Sequence, residues 1–237
     1  MSSPGDASGL APNEGKSLAI EVNGRVWDRL PIRTHLITAD DDLTAVVRDA
    51  TTPHRQPGDI IFLSERMVAV TQGRAYPIDE IQPSRLARFL VRFVYKSPYG
   101  IGLGSPWTME LALREVGRPR ILAAAAAAAA TKPFGVRGVF YKVAGRAAAA
   151  IDGPTENTIP PYNRCATLGP SKPNLVARAL RDALGHEIVI IDANDLGVDV
   201  LGASSRAVGG RWAEQVFRDN PLGQSGQQTP VCLVRPG

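Results

Sequence analysis

Apolar and polar residues alternate through SLAIEVNGRVWDRLPIRTHLI, residues 17–37, on either side of an Asn23-Gly24 pair, and this predicts a β-hairpin. The spacing changes in ADDDLTAVVRDAT to that of a short helix with acidic residues in its first turn, where they complement the helix dipole. PGDIIFLSERMVAVTQGRAYPI then predicts two strands, residues 59–63 and 67–71, and a third short one after the Gln72-Gly73 turn. In PSRLARFLVRFVYK, helical spacing puts Leu86, Phe89, Leu90, Phe93 and Val94 on one face, with Arg85, Arg88, Arg92 and Lys96 mostly off it.

The middle of the chain is less regular. GIGLGSPWTMELALREVG places Ser105 as a helix N-cap and Pro106 at the first helical position. Its glycines lack the spacing of a Walker loop and follow no clear strand, so a bend is favoured over a dinucleotide site. The run ILAAAAAAAA is ambiguous, because alanine favours helix while the flanking Ile121-Leu122 and Thr131-Lys132-Pro133 fit a buried strand; a strand is the expectation. FGVRGVFYKVAGRAAAAIDGP predicts a pair of strands turning at Gly145-Arg146 and ending at Asp152-Gly153.

After a long loop, PNLVARALRDALG predicts a helix with Pro173 near its start and Gly185 past its end. HEIVII is the following strand and DANDLGVDVLGASS its loop. RWAEQVFRDN predicts a helix stopped by Pro221, and TPVCLVRPG a final strand. These elements define an α+β class, mixed sheets with flanking helices. Residues 1–16, rich in Gly, Ser and Pro, are expected to form a flexible tail, and residues 17–237 one domain.

Composition narrows the function classes. With 237 residues, 44% of them hydrophobic and 21% charged, the chain can bury a sizeable core. A formal charge of +4 from scattered basic residues does not argue for nucleic acid; it fits a small anionic ligand equally well. Only Arg85, Arg88 and Arg92 support a nucleic-acid reading, and no aromatic platform interleaves them. His35, His54, His186, Cys165 and Cys232 have no recurring spacing, so none is expected to ligate a metal. The longest apolar run is about half of what a membrane span needs, and the N-terminus has neither the basic start nor the apolar centre of a signal peptide. A cytoplasmic location without membrane contact is the expectation.

The segment IVIIDANDLG carries the candidate chemistry. A strand apolar on both faces lies centrally in a sheet, so Asp192, Asn194 and Asp195 fall at the rim of the core, and a second apolar strand is expected to end at Asp152. Oxygen ligands from two strand ends suit magnesium or manganese, particularly with phosphate oxygens completing the shell. The alternative is that Asp and Asn are simply common in turns.

Several segments, in their order, resemble the coenzyme F-420 gamma-glutamyl ligase family: PGDIIFLSERMVAVTQGR, IQPSRLARFL, AIDGPTEN, IVIIDANDLG and the ending GQQTPVCLVRPG. The resemblance spans roughly residues 28–237 and implies a GTP- or ATP-dependent ligase that joins a carboxylate to an amino acid in an intertwined homodimer, with two divalent cations, magnesium or manganese, bridging the nucleotide phosphates. It implies metal ligation by Asp152, Asn194, Asp195 and Gln224, with Asp192 able to supply the charge that Asn194 lacks. It also implies nucleotide contacts from Leu30, Pro31, Ile32, Arg33, Ser64 and Glu65, with Thr155 where the family has an asparagine. Arg66, Arg74, Lys132, Arg137 and Lys142 are candidate charge partners. The family's lysine is Val70 here and the arginine of its "FGR" is Val198, which implies a divergent relative with a different substrate, or a homologue that binds nucleotide and metal without turnover. An alanine-rich strand suited to close backbone approach adds to the expectation of a dimer.

Overall fold

The structure is a computed structural model, and it describes residues 10–94, 102–136, 138–194, 197–223 and 226–237. In chain order the described elements are β1 (Ala19–Val22), β2 (Arg25–Ile32), α1 (Leu43–Thr51), β3 (Ile60–Ser64), α2 (Glu65–Thr71), β4 (Ala75–Pro77), α3 (Arg85–Leu90), α4 (Pro106–Glu115), α5 (Arg118–Thr131), α6 (Val139–Ala144), α7 (Arg146–Ala149), β5 (Cys165–Thr167), α8 (Pro173–Leu184), β6 (Glu187–Asn194), β7 (Gly197–Ala203), α9 (Arg211–Val216) and β8 (Val231–Pro236). This is the α+β class that the pattern predicts. The chain divides into two compact units, one running up to Gln72 and again from Pro170, the other from Gly73 to Gly169.

The first unit is built on a six-stranded sheet in the order β1-β2-β8-β3-β6-β7, antiparallel throughout except for the parallel pair β3–β6. Asn23 and Gly24 both have positive φ, 53° and 76°, as the tight turn between β1 and β2 requires. One face of the sheet carries Ile20, Val22, Phe62, Val189, Ile191, Cys232 and Val234 against Val216 and Phe217 at the end of α9, with the Phe62 and Phe217 rings stacked at 4.3 Å. On the other face lie α1, α2 and α8. Gly202 on β7 is needed for that packing: a Cβ there would come within 2.5 Å of the Pro173 carbonyl carbon at the start of α8.

Three expectations in this unit are corrected. Residues 67–71 are helix, not strand: Ser64 ends β3, and its side chain accepts from the Met67 amide at 3.3 Å, so it caps α2. Met67, Val68, Ala69 and Val70 are all buried, so four consecutive apolar residues line a short enclosed helix, which periodicity cannot separate from a strand. The segment after HEIVII is not a loop: β6 continues to Asn194 and pairs with β7 as a hairpin. An irregularity in the pairing beside Ile190 and Ile191 lets Val198, Val200 and Ala203 all pack on the aromatic core, although their spacing is not strictly alternate. The predicted acidic first turn of α1 is a cap instead, with Asp42 accepting from the Ala45 amide at 2.9 Å.

In the second unit α3 to α7 enclose a core that includes Leu90, Leu103, Met109, Leu111, Ile121 and Ile151, beside the two-stranded sheet β4–β5. The alanine run is helix α5, and Ile121, Ala124 and Ala125 are its buried positions. Alanine's high helix propensity decides the conformation where no alternation opposes it. The expected strand pair around Gly145-Arg146 is instead α6 and α7, so no strand runs into Asp152; that residue makes an isolated bridge with Thr167. On α3 the buried positions are Ala87 and Leu90, followed by Val94, whereas Phe89 is 51% exposed.

Candidate functional site

The registers of the first sheet bring four strand ends to one edge. Ile32 at the end of β2 pairs with Val231 at the start of β8, Leu63 near the end of β3 pairs with the same Val231, and Ser64 pairs with Ile191 of β6. Backbone bonds extend this edge outward: the Ser64 amide donates to the Pro230 carbonyl at 2.9 Å and the Thr34 amide to the Gln228 carbonyl at 3.1 Å. The segments around Arg33, Ser64-Glu65 and Asp192-Asn194, with residues 228–230, therefore meet at the carboxyl ends of β2, β3 and β6. Open α/β sheets place their ligands at such an edge.

Beyond Ile191, β6 projects past β3 as a two-stranded arm. Asp192 and Asn194 lie on one face of it, the Asn194 amide donating to Asp192 Oδ1 at 3.3 Å. Asp199 stands directly across from Asp192 on β7. Directly opposed residues share a face, so this face collects two carboxylates and a carboxamide, an oxygen-rich set of the kind hard cations take. Asp199, which sequence reading leaves in a loop, is the neighbour that reading missed; the period-2 pattern of GVDVLG was its signal.

The remaining candidates are distributed as follows. Leu30, Pro31 and Ile32 are buried in β2, and Leu30 and Ile32 belong to the core, while Arg33 is exposed just past the strand. Ser64 is the α2 cap and Glu65 opens that helix, half-buried. Asp195 and Gln224 lie outside the described residues, between Asn194 and Gly197 and just after Gly223. Asp152 and Thr155 belong to the second unit and are both exposed there; Thr155 Oγ1 accepts from the Asn157 amide. Among the described residues no three or more His, Cys, Asp or Glu side chains gather as a metal-holding group.

Of the candidate charge partners, Arg74 is committed within the second unit, its guanidinium bonded to Glu115 and to the Gly169 carbonyl, both at 2.7 Å. Lys132 and Lys142 are exposed, Arg66 is half-buried, and Arg137 lies outside the described residues. Val70 is 4% exposed and Val198 packs on the aromatic core, so the two departures from the family pattern sit in apolar surroundings. Cys165 and Cys232 are both buried thiols, and burial pushes the Cys232 pKa well up.

Two ion pairs hold the strands that build the edge, and sequence reading found neither. Arg29, fully buried on β2, donates to both carboxylate oxygens of Asp219 and to the carbonyls of Ser17, Leu18 and Val216. Burial raises the Asp219 carboxyl pKa, and the hydrogen bonds and charge of Arg29 more than offset that, leaving it below the ordinary carboxylate range. Arg235 on β8 donates to Asp59 at 2.8 Å and to the His54 carbonyl at 2.9 Å, fixing the opposite end of the sheet.

A mixed sheet flanked by helices, with polar residues at the carboxyl ends of its strands, defines an α+β molecule. The family model described as F420-0:Gamma-glutamyl ligase matches residues 31–211, well over half of the chain. The chain belongs to that family, whose members are ligases. No curated protein matches the chain. Among the described residues, no helix is long and apolar enough to cross a membrane.

Proposed function

We propose that this chain is a nucleotide-dependent ligase that joins a carboxylate to an amino acid. Membership of the gamma-glutamyl ligase family supports the ligase class, and one observation carries the finer reading: of the segments that the resemblance assigns to nucleotide and metal, those around Arg33, Ser64-Glu65 and Asp192-Asn194 lie at one edge of one sheet. The carboxylate oxygen attacks the terminal phosphorus of GTP or ATP, forming an O–P bond as the nucleoside diphosphate leaves. The amine then attacks the acyl carbon, forming the amide as phosphate departs with the C–O electron pair, and the amine proton passes to phosphate or water. Magnesium or manganese, when bound, supplies the positive charge that the phosphates require.

In this reading Asp192 and Asn194, with Asp195 and Gln224, hold the cations, and Asp199 adds its charge from across the arm; the roles of Asp152 and Thr155, in the second unit, rest on the resemblance alone. Arg33 and Ser64-Glu65 lie at the nucleotide side of the edge. Leu30 and Ile32 act through the backbone position of β2, since their side chains are in the core. The working state is a homodimer, a reading that rests on the family alone now that the alanine run is helical.

Calorimetric titration of GTP and ATP with and without magnesium tests the proposal, using wild type, Asp195→Ala and Asp152→Ala. Metal-dependent binding in the wild type that is lost in both variants is the expected result; equal affinity in all three removes the site. Incubation with nucleotide, magnesium and pools of small acids and amino acids, read by mass spectrometry, identifies the condensed pair. The apolar settings of Val70 and Val198 favour a second reading, a homologue that binds nucleotide and metal without turnover. Binding without nucleoside diphosphate release would select it.

A further inference from the structure

The loop that leads into β8 is held from a part of the chain beyond the family match. Residues 219–230 connect α9 to β8 and lie, with residues 10–30, outside the matched span 31–211. Within the loop, Asn220 is buried with φ of +48°, and its side chain donates to the Gly223 carbonyl at 3.0 Å; Thr229 Oγ1 donates to the Leu222 carbonyl at 2.8 Å. Those bonds are local. Three long-range ones come from the N-terminus: Asn13 Nδ2 donates to the Pro221 carbonyl at 2.7 Å and to Thr229 Oγ1 at 2.9 Å, and Lys16 Nζ donates to the Asp219 carbonyl at 2.7 Å. One carboxamide thus ties the two limbs of the loop together, and an ammonium holds its root.

The next two residues continue the same attachment, since the Ser17 and Leu18 carbonyls accept from Arg29, which also holds the Asp219 carboxylate. The segment from Asn13 to Leu18 therefore runs along the loop and ends in the guanidinium that fixes it. At its far limb the loop reaches the edge itself, through the bonds of Thr34 to Gln228 and of Ser64 to Pro230.

We propose that residues 13–16 are a strap that sets residues 219–223 and 226–230, the described limbs of the loop before β8, against the sheet edge, with Asn13 the positioning residue for the ligand bound there. The loop is held by the strap whatever the ligand is; the effect on ligand binding rests on the nucleotide-ligase reading. An expected tail thus becomes part of the apparatus that shapes the site, because the carboxamide donates to one acceptor on each limb of the loop.

The test uses the full chain with Asn13→Asp, which keeps the shape but sets a carboxylate oxygen against the Pro221 carbonyl, together with Lys16→Ala. Glu14→Ala, an exposed neighbour, is the control. Amide hydrogen exchange of peptides covering residues 219–230, and calorimetric affinity for magnesium–GTP and magnesium–ATP, are measured on each. The expected result is faster exchange confined to the loop and an affinity about tenfold weaker in Asn13→Asp, the scale of one to two lost hydrogen bonds, with Glu14→Ala unchanged. Unchanged loop exchange in both strap variants overturns the strap. Faster exchange with unchanged nucleotide affinity overturns the positioning role of Asn13. If the wild type binds neither nucleotide, the ligase reading fails and the positioning role with it, while the exchange comparison still decides the strap.

Discussion

Asp192 and Asp199 face one another across the β6–β7 pair, with Asn194 on the same face donating to Asp192. Directly opposed like charges destabilise an antiparallel pair, and a bound cation reverses the sign of that interaction. Asp199→Asn is therefore expected to stabilise the metal-free protein slightly, by about 0.2–1 kcal/mol, and to weaken magnesium-dependent nucleotide binding. Thermal melts with and without magnesium and nucleotide measure both. A variant that is less stable without metal and unchanged with it would show that the opposed carboxylates serve the hairpin alone.

The Arg29–Asp219 pair fixes β2 to the segment after α9. Asp219→Asn keeps the shape and removes the charge from beside a fully buried guanidinium, which should destabilise by about 2 kcal/mol, below the range for fully buried pairs because the carboxylate is partly solvated. The Asp219 carboxyl has a lowered pKa in the folded state, so its contribution is present above its unfolded value near 3.8 and is lost as pH falls through the folded one. Melting temperatures between pH 2 and pH 6, an interval of about 4 units chosen around that carboxylate, should fall more gently on acidification in Asp219→Asn than in wild type. Parallel curves would remove Asp219 from the acid response.

Gly202 allows α8 to approach β7, and the Ala203 amide donates to Asn174 Oδ1 at 3.0 Å just beyond it. A methyl group at this position meets backbone, not a flexible side chain, so Gly202→Ala should cost about 1–3 kcal/mol. Chemical denaturation is the measurement, and a neutral result would mean that α8 shifts freely.

Ala126 is exposed on α5. In a helix Ala126→Gly should destabilise by about 1 kcal/mol and Ala126→Val by a smaller amount. Were the run a strand, valine would stabilise it. Melting both variants distinguishes the two conformations.

Local signals in the sequence determined part of this fold. Asn23-Gly24 demands positive φ and makes its hairpin, Ser105-Pro106 starts α4, Pro173 and Gly185 bound α8, and the run Ile188–Ile191 is apolar on both faces because both faces are covered. Each of these depends on neighbours within a few residues. Ordered motifs likewise carried the family. Tertiary structure decided what such signals leave degenerate: residues 67–71 became helix because enclosure removes the alternation that distinguishes strand from helix, and residues 139–149 form two short helices whose buried positions, Phe140, Ala144 and Ala148, recur every four residues. It also decided the edge. Ser64 meets Ile191 only through a parallel pairing that the whole second unit separates in sequence, and Asp199 meets Asp192 only when β6 runs on past its apolar stretch. Asn13 reaches Thr229 from the other end of the chain. Contacts of that range arise from burial of the assembled sheet, and no short window of residues encodes them.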